Sequence, residues 1–412
     1  MTTFSSARTL FPVVLAERDF GPTAGSSDAV SLRGVQVLVV TSGHEATDHR
    51  IYSKLAISLK QLGADVRVVG ALEHRVPGDV PVIALSKPKS RLARFLLQPW
   101  RCLWAIRKLR PHIIHFHDPE MLATLPVAKL WWRRTRFVYD VHEDFANLML
   151  ISDWLPQWLK PLVKKITDSV EKRLARLADA IVGVTPPLTE KFRNRERIVA
   201  YNYISQEFFD EAAKFQIEAA ERRYDLVHLG TLNLRRAYFL AEVLRLYHRT
   251  RPNAQSLIIG ASPEIEKAIR AALPKGCTLL NKVPHGEIPR LLSSAKVGLD
   301  VHPWLGAHLQ VALPVKVCEY MAAGCAVVSS SMPVLDRILK EAGIEAEDLR
   351  LISGGEPDDY ARAACETVEN IAGGEDPGVR LRTCAAAHLT WEKQAVSVGK
   401  LYRRLLEKTC AS

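Results

Sequence analysis

The sequence predicts an α/β chain of two successive open parallel sheets, and three observations lead there. Short β-branched apolar runs alternate with helix-length segments of 3.6-residue period, the pattern of strand, crossover helix and parallel strand. That pattern runs from residue 35 to 185, lapses in a polar stretch near 205–223, and starts again at Tyr224. At 412 residues the chain is also longer than one hydrophobic core usually serves, so two domains are expected.

Taken in order, residues 1–33 are rich in Ser, Gly, Ala and Thr without a period and read as a mobile tail. VQVLVV (35–40) is the first buried strand, IYSKLAISLKQLGA a helix, and DVRVVGA the second strand. HIIHFH (112–117), RFVYDVH (136–142) and AIVGVT (180–185) continue the sheet, giving a first domain over 34–203. YDLVHLG (224–230), a helix from Ala237, SLIIG (256–260), TLLNKV (278–283), VGLDVHP (297–303) and CAVVSS (325–330) build a second over 204–388, with 389–412 left as a closing helix. Ligands of such sheets bind beyond the carboxyl ends of the strands, so the expected site is a cleft between the two halves. No GxGxxG follows the first strand, which speaks against a dinucleotide oxidoreductase.

Composition narrows the class. With 48% hydrophobic and 25% charged residues the chain reads as an ordinary soluble protein. No run of eighteen apolar residues appears, and the first residues lack the basic-then-apolar order of a signal peptide. The expectation is a cytoplasmic protein, peripheral on the inner face of a membrane. Seven scattered cysteines without a CxxC pair argue against a disulfide framework or a zinc site. The net charge of +11 is concentrated: Lys87 to Arg110 carries eight bases and no acid, interleaved with Phe95, Trp100 and Trp104. KLWWRRTR (129–136) and DWLPQWLKPLVKK (153–165) repeat the theme. This suits an anionic membrane surface, the plain alternative being amphipathic helices that pack on a sheet with basic outer faces. No recognised nucleic-acid-binding motif is present, so nucleic acid is not expected as a partner.

Polar residues at strand ends carry the chemistry. In LPVKVCEYMAAG a helix begins near Pro314, which places Lys316 and Glu319 on one face of its first turn. First-turn N–H groups and the helix dipole favour an anion, and Lys316 adds a full charge. A phosphate fits there, and ribose hydroxyls would hold Glu319. The competing reading is a solvated i,i+3 pair. HLGTLNLRR ends a strand at Gly230, which permits close backbone approach, and brings Arg235 and Arg236 to the next helix start. Two cationic helix starts in one domain fit a diphosphate. His115 and His117 lie two apart on one strand face, followed by Asp118 and Glu120, and His142 with Glu143 and Asp144 makes one further cluster. An HxH pair can ligate a metal, which keeps a metal-dependent hydrolase open. A satisfied core histidine is the alternative for both, more so for His115 than for His117 next to the turn, and a histidine at the cleft can instead hydrogen-bond a sugar hydroxyl.

TSGHEATDHRIYSKLAISLKQLGADVRVV, HFHDPEML, YDVHEDF, VEKRLARLADAIVGVTPPL, GTLNLRR and LPVKVCEYMAAG together resemble glycosyltransferase family 4, retaining enzymes of the GT-B fold. The resemblance runs from about residue 35 to TWEKQAVSVGKLYRRL (390–405), similar to the family's closing segment, which commonly returns to the first domain. It implies two Rossmann-like domains, a nucleoside diphosphate sugar as donor and no cofactor beyond it, and transfer without a metal. It also implies that His117 lies by the transferred sugar, that Arg236 and Lys316 bind the diphosphate, and that Glu319 binds the ribose. Asp48 and Arg50 resemble the acceptor-side loop, a plain surface pair being the alternative. The acceptor would be a saccharide or lipid-linked saccharide in envelope polysaccharide or glycolipid assembly. Where many members carry the first of two glutamates, this chain has Val311, so a contact to the sugar falls to His302, Trp304 or His308. The same gap supports a rival, a non-catalytic protein of this fold that binds a nucleotide or serves as a scaffold.

Overall fold

The structure is a computed structural model that describes residues 30–410 apart from 74–77, 153, 303–305 and 346–347. Most of the expected tail, and Trp304, lie outside the described residues. The first sheet contains β1 (Gln36–Glu45), β2 (Asp65–Ala71), β3 (Val82–Leu85), β4 (Ile113–Phe116), β5 (Arg136–Val141), β6 (Ala180–Gly183) and β7 (Glu196–Val199). Its order is β3-β2-β1-β4-β5-β6-β7, with every pair parallel. β1 is central, pairing Val37–Val40 with residues 66–69 of β2 and 113–116 of β4. A strand with neighbours on both edges and helices on both faces is buried throughout, hence the uninterrupted apolar run.

The second sheet contains β8 (Tyr224–Leu229), β9 (Ser256–Ile259), β10 (Cys277–Leu280), β11 (Ala295–Asp300), β12 (Ala326–Ser330) and β13 (Leu349–Ile352), in the order β10-β9-β8-β11-β12-β13 and again all parallel. Successive side chains feed two separate cores: Val227 and Val327 join the cluster around Tyr320 and Met321, while Leu226 and Val328 join that around Leu240 and Tyr360. That division is the period-2 alternation of a strand sandwiched between two helical layers.

Two features depart from the sequence reading. β3, β7 and β13, all sheet edges, have no counterpart among the expected strands. The polar stretch assigned to the joint contains a helix, Gln206–Ala213, whose Phe208, Phe209 and Ala212 are buried. The closing helix, Trp391–Cys410, packs on the first sheet's side of the molecule. Trp391 donates through Nε1 to Ser58 Oγ at 3.0 Å, and Lys408 pairs with Glu196 on β7.

Candidate active site

The carboxyl ends of β4 and β5 gather four titratable groups. Asp140, fully buried, accepts from Nη2 of Arg50 through both oxygens at 3.1 Å. Its Oδ2 also lies 3.1 Å from His115 Nε2, 3.4 Å from His117 Nδ1 and 3.2 Å from His142 Nε2. Burial acts to raise this carboxyl, yet Arg50, His142 and the hydrogen bonds of His115 and His117 together hold it well below the usual range. Arg50 is thus a buried ion-pair partner, and the reading of Asp48 and Arg50 as a plain surface pair is corrected. The cause is local: Asp48 caps the helical turn that starts at His49, accepting from the Arg50 and Ile51 N–H groups, and this turn aims Arg50 inward.

The tautomers follow from this network. Asp140, ionised, can only accept, so His117 Nδ1, 3.4 Å from its Oδ2, carries the proton, while Arg50 Nε donates to His142 Nε2 at 3.1 Å. His117 Nε2 is then a bare acceptor, buried and without a partner. Burial first, then the neighbouring histidines, push the His117 imidazole down to about 3, against the pull of Asp140, so it is neutral. His115 is fully occupied: Nε2 faces Asp140 and Nδ1 accepts from the Tyr402 hydroxyl of the closing helix at 2.8 Å. His115, His117 and Asp140 offer three ligand atoms within 4.8 Å of one another. The carboxylate, however, already faces a buried guanidinium, which a divalent ion would have to sit against.

Beside this network His44 and Asp118 form a second pair that sequence reading missed. Asp118 is buried, accepts from Thr41 Oγ1 at 2.7 Å and from the Ser42 N–H at 2.8 Å, and meets His44 Nδ1 at 2.9 Å. That hydrogen bond, with the charge of Asp118, outweighs the opposing effect of burial and raises the His44 imidazole to about 9. Because the folded value lies above the ordinary 6.5, the His44 contribution to stability is full below 6.5 and is lost as pH rises through about 9. Asp118, held below its ordinary 3.8, contributes above that value and loses its contribution on acidification. In an NMR titration His44 is expected to titrate near 9 and, in Asp118→Asn, to return toward 6.5. An unchanged value in the variant would remove Asp118 as the cause. His44, Arg94, His117, His142, Phe145 and Trp154 are among the residues lining a cavity of about 420 Å³.

Across the cleft the second sheet presents its own cluster. Gly230 follows β8 with φ +121°, a conformation L side chains rarely adopt, and a Cβ there would lie 3.4 Å from Lys316 Nζ. Lys316, in the first turn of helix Val315–Ala322, sits 3.0 Å from Asp300 at the end of β11. Burial lowers the Lys316 ammonium, partly countered by Asp300. Arg236, three residues past the Asn233 cap of helix Leu234–Thr250, has Nε and Nη2 buried without a partner. Arg235, its neighbour in sequence, is exposed. Glu319 lies 3.6 Å from His285 Nε2, and His285 stacks on His49 of the first domain at 3.9 Å between ring centroids. A second link across the cleft runs from Thr185 Oγ1 to the Val311 carbonyl at 2.7 Å. Near these links a cavity of about 330 Å³ is lined by Asp48, Arg50, His142, Leu313 and Val315 among others. His302 Nε2 lies 3.2 Å from Asp300.

The structure therefore brings Gly230, Arg236, Lys316 and Glu319 to one wall of the cleft and His117, Asp48 and Arg50 to the other. Asp140, Asp300 and His44 were not singled out by sequence. The first two end strands within apolar runs, RFVYDV and VGLD, and a lone acid closing such a run is the signal that was available.

Comparison with known proteins agrees with this architecture. The Glycosyl transferase 4-like domain family matches residues 27–204, and the Glycosyl transferases group 1 family matches residues 223–370. No curated protein matches the sequence. Among solved structures, sucrose-phosphate synthase from Thermosynechococcus elongatus is 16% identical, with TM-score 0.66 over 91% of this chain and 100% of its own. Anabaena Alr3699/HepE, in complex with UDP and glucose, is 12% identical with TM-score 0.66 over 90% and 100%. A glycosyltransferase from Rickettsia africae is 14% identical with TM-score 0.64 over 90% and 99%. With one family matched on each half and the two-sheet cleft in common, the chain belongs to glycosyltransferase family 4, the group 1 glycosyltransferases of the GT-B fold.

Proposed function

We propose that this enzyme moves a hexosyl unit from a nucleoside diphosphate sugar to a hydroxyl of a saccharide or lipid-linked saccharide, with retention at the anomeric carbon and without a metal. The observation that carries the reading is Arg236, a buried guanidinium with two unpartnered nitrogens beside Lys316 and the open backbone at Gly230. Lys316 pairs with the buried carboxylate of Asp300 while Arg236 Nε and Nη2 have no partner, so the cluster has positive charge to spare for a diphosphate. Glu319 is placed to accept from ribose hydroxyls, three residues along the same helix face.

In this reading the bond from the anomeric carbon to the diphosphate oxygen breaks, and its electron pair leaves on the diphosphate. Arg236, Lys316 and the N–H groups at the start of helix Val315–Ala322 hold the charge that develops there. The acceptor oxygen attacks from the face the diphosphate leaves, and its proton passes to a departing phosphate oxygen. His117 Nε2, a bare acceptor, takes a hydrogen bond from a sugar hydroxyl and so fixes the ring.

The test is a thermal-shift panel of UDP, GDP, ADP and their sugar conjugates in EDTA, on wild type, Arg236→Ala and Glu319→Ala. UDP-glucose is a natural first choice because Anabaena HepE was crystallised with it. One nucleotide is expected to raise the midpoint without metal, at saturating ligand by several degrees, and both substitutions are expected to remove the rise. Stabilisation only when Zn²⁺ or Mn²⁺ is added would overturn the metal-free site.

A further inference from the structure

The helices on the outer side of the first domain carry apolar stripes on the solvent side. Helix Arg91–Leu96 and helix Gln98–Ile106 present Leu92, Leu96, Trp100 and Trp104, four apart and all exposed. Trp158, just before helix Lys160–Ala175, continues into Leu162, Ile166 and Val170, again four apart, with Trp158 80% exposed. A spacing of four marks one helix face, and the usual place for such a face is against the sheet. Of nineteen exposed large hydrophobic side chains among the described residues, fourteen fall between Leu92 and Leu177, so the enrichment belongs to the first domain. The helix that starts the first stripe touches the segment ahead of the second: Arg91 lies over the Trp154 ring at 5.8 Å, and Phe95 meets Phe145 at 6.0 Å, on helix Phe145–Ile151, which packs on helix Lys160–Ala175.

We propose that this face docks on an anionic lipid bilayer. Charge decides between the candidate occupants. Arg101, Arg107, Lys108 and Arg110 are exposed beside the first stripe and Lys165, Arg173 and Arg176 beside the second, while Lys87 to Arg110 contains no acid. A second copy of the chain would set two such basic fields against each other, whereas anionic head groups neutralise them as the indole and leucine side chains enter the interface. Arg91, Trp154 and Ile151 line the 420 Å³ cavity that reaches His117, and Trp154 and Ile151 are also among the exposed residues. The cavity therefore opens within the docking face, so that an acceptor borne by a lipid enters from the bilayer. The docking face stands on its own side chains, and only the delivery of an acceptor rests on the transferase reading.

The test is co-sedimentation of the full chain with phosphatidylcholine vesicles containing or lacking phosphatidylglycerol, beside Trp158→Glu/Leu162→Glu and Leu92→Glu/Trp104→Glu. Binding to the anionic vesicles alone is expected, weakened by salt and by about tenfold or more in each double variant, with thermal midpoints unchanged because all four side chains are exposed. No binding to anionic vesicles, or equal binding by both variants, overturns the proposal, as does light scattering that shows a dimer dissociated by the same substitutions. Arg236→Ala separates the two readings: it is expected to lose the nucleotide shift and keep vesicle binding.

Discussion

Arg236→Ala is expected to lower the transfer rate by on the order of 10²–10³-fold while leaving thermal stability nearly unchanged. The two halves of this outcome have one cause. The Nε and Nη2 atoms of Arg236 are buried without a partner, so their removal breaks no ion pair, and what is lost is the donor pair that the proposed mechanism assigns to the leaving group. Lys316→Ala is expected to cost a similar factor in rate but also stability, because Asp300, fully buried, loses the ammonium 3.0 Å away. Steady-state transfer from the nucleotide sugar that stabilises the wild type, with calorimetry on each variant, separates the two. A rate loss below about tenfold in Arg236→Ala would sink the assignment of the leaving-group charge to this residue.

Asp140→Ala is expected to destabilise the protein by about 3–5 kcal/mol, the usual cost of removing one partner from a buried ion pair. At roughly 2–4 °C per kcal/mol for a domain of this size, the midpoint falls on the order of 10 °C. Arg50, with its side chain 6% exposed, is left as an uncompensated cation, and His115 and His117 lose their shared acceptor. The double variant Arg50→Met/Asp140→Leu is expected to be more stable than Asp140→Ala, since it leaves no orphaned charge. Thermal unfolding by circular dichroism checks both. A fall of only a degree or two in Asp140→Ala would mean that water reaches Arg50 and that the network is not a closed one.

The two readings bear on each other. Asp140, held by Arg50, fixes the tautomer of His117, so the wall opposite the Arg236–Lys316 cluster is set by a buried network behind it. His115, half of the HxH motif, is spent on Asp140 and on Tyr402 from the closing helix, 287 residues away in sequence. The spacing of two that made a metal pair plausible is real as strand geometry, but the partner that occupies His115 arrives from the far end of the chain.

The sequence by itself determined the class of fold, the restart at Tyr224 and the central strands, because a strand flanked on both edges and covered on both faces must be apolar at nearly every position. Edge strands β3, β7 and β13 escaped it: VIAL, ERIV and LRLI are short and only partly buried, so their pattern is no stronger than that of a loop. Gly230, Arg236, Lys316 and Glu319 were legible because helix starts and strand ends are local, set by caps, turns and the dipole. Tertiary structure alone decided the rest: that Arg50 points inward, that Asp140 and Asp300 are buried counter-ions, that His44 pairs with Asp118 74 residues away, and that the apolar stripes of the first domain face outward. Each of these depends on which groups share a low-dielectric space after the sheets assemble, and no spacing within one element carries that information.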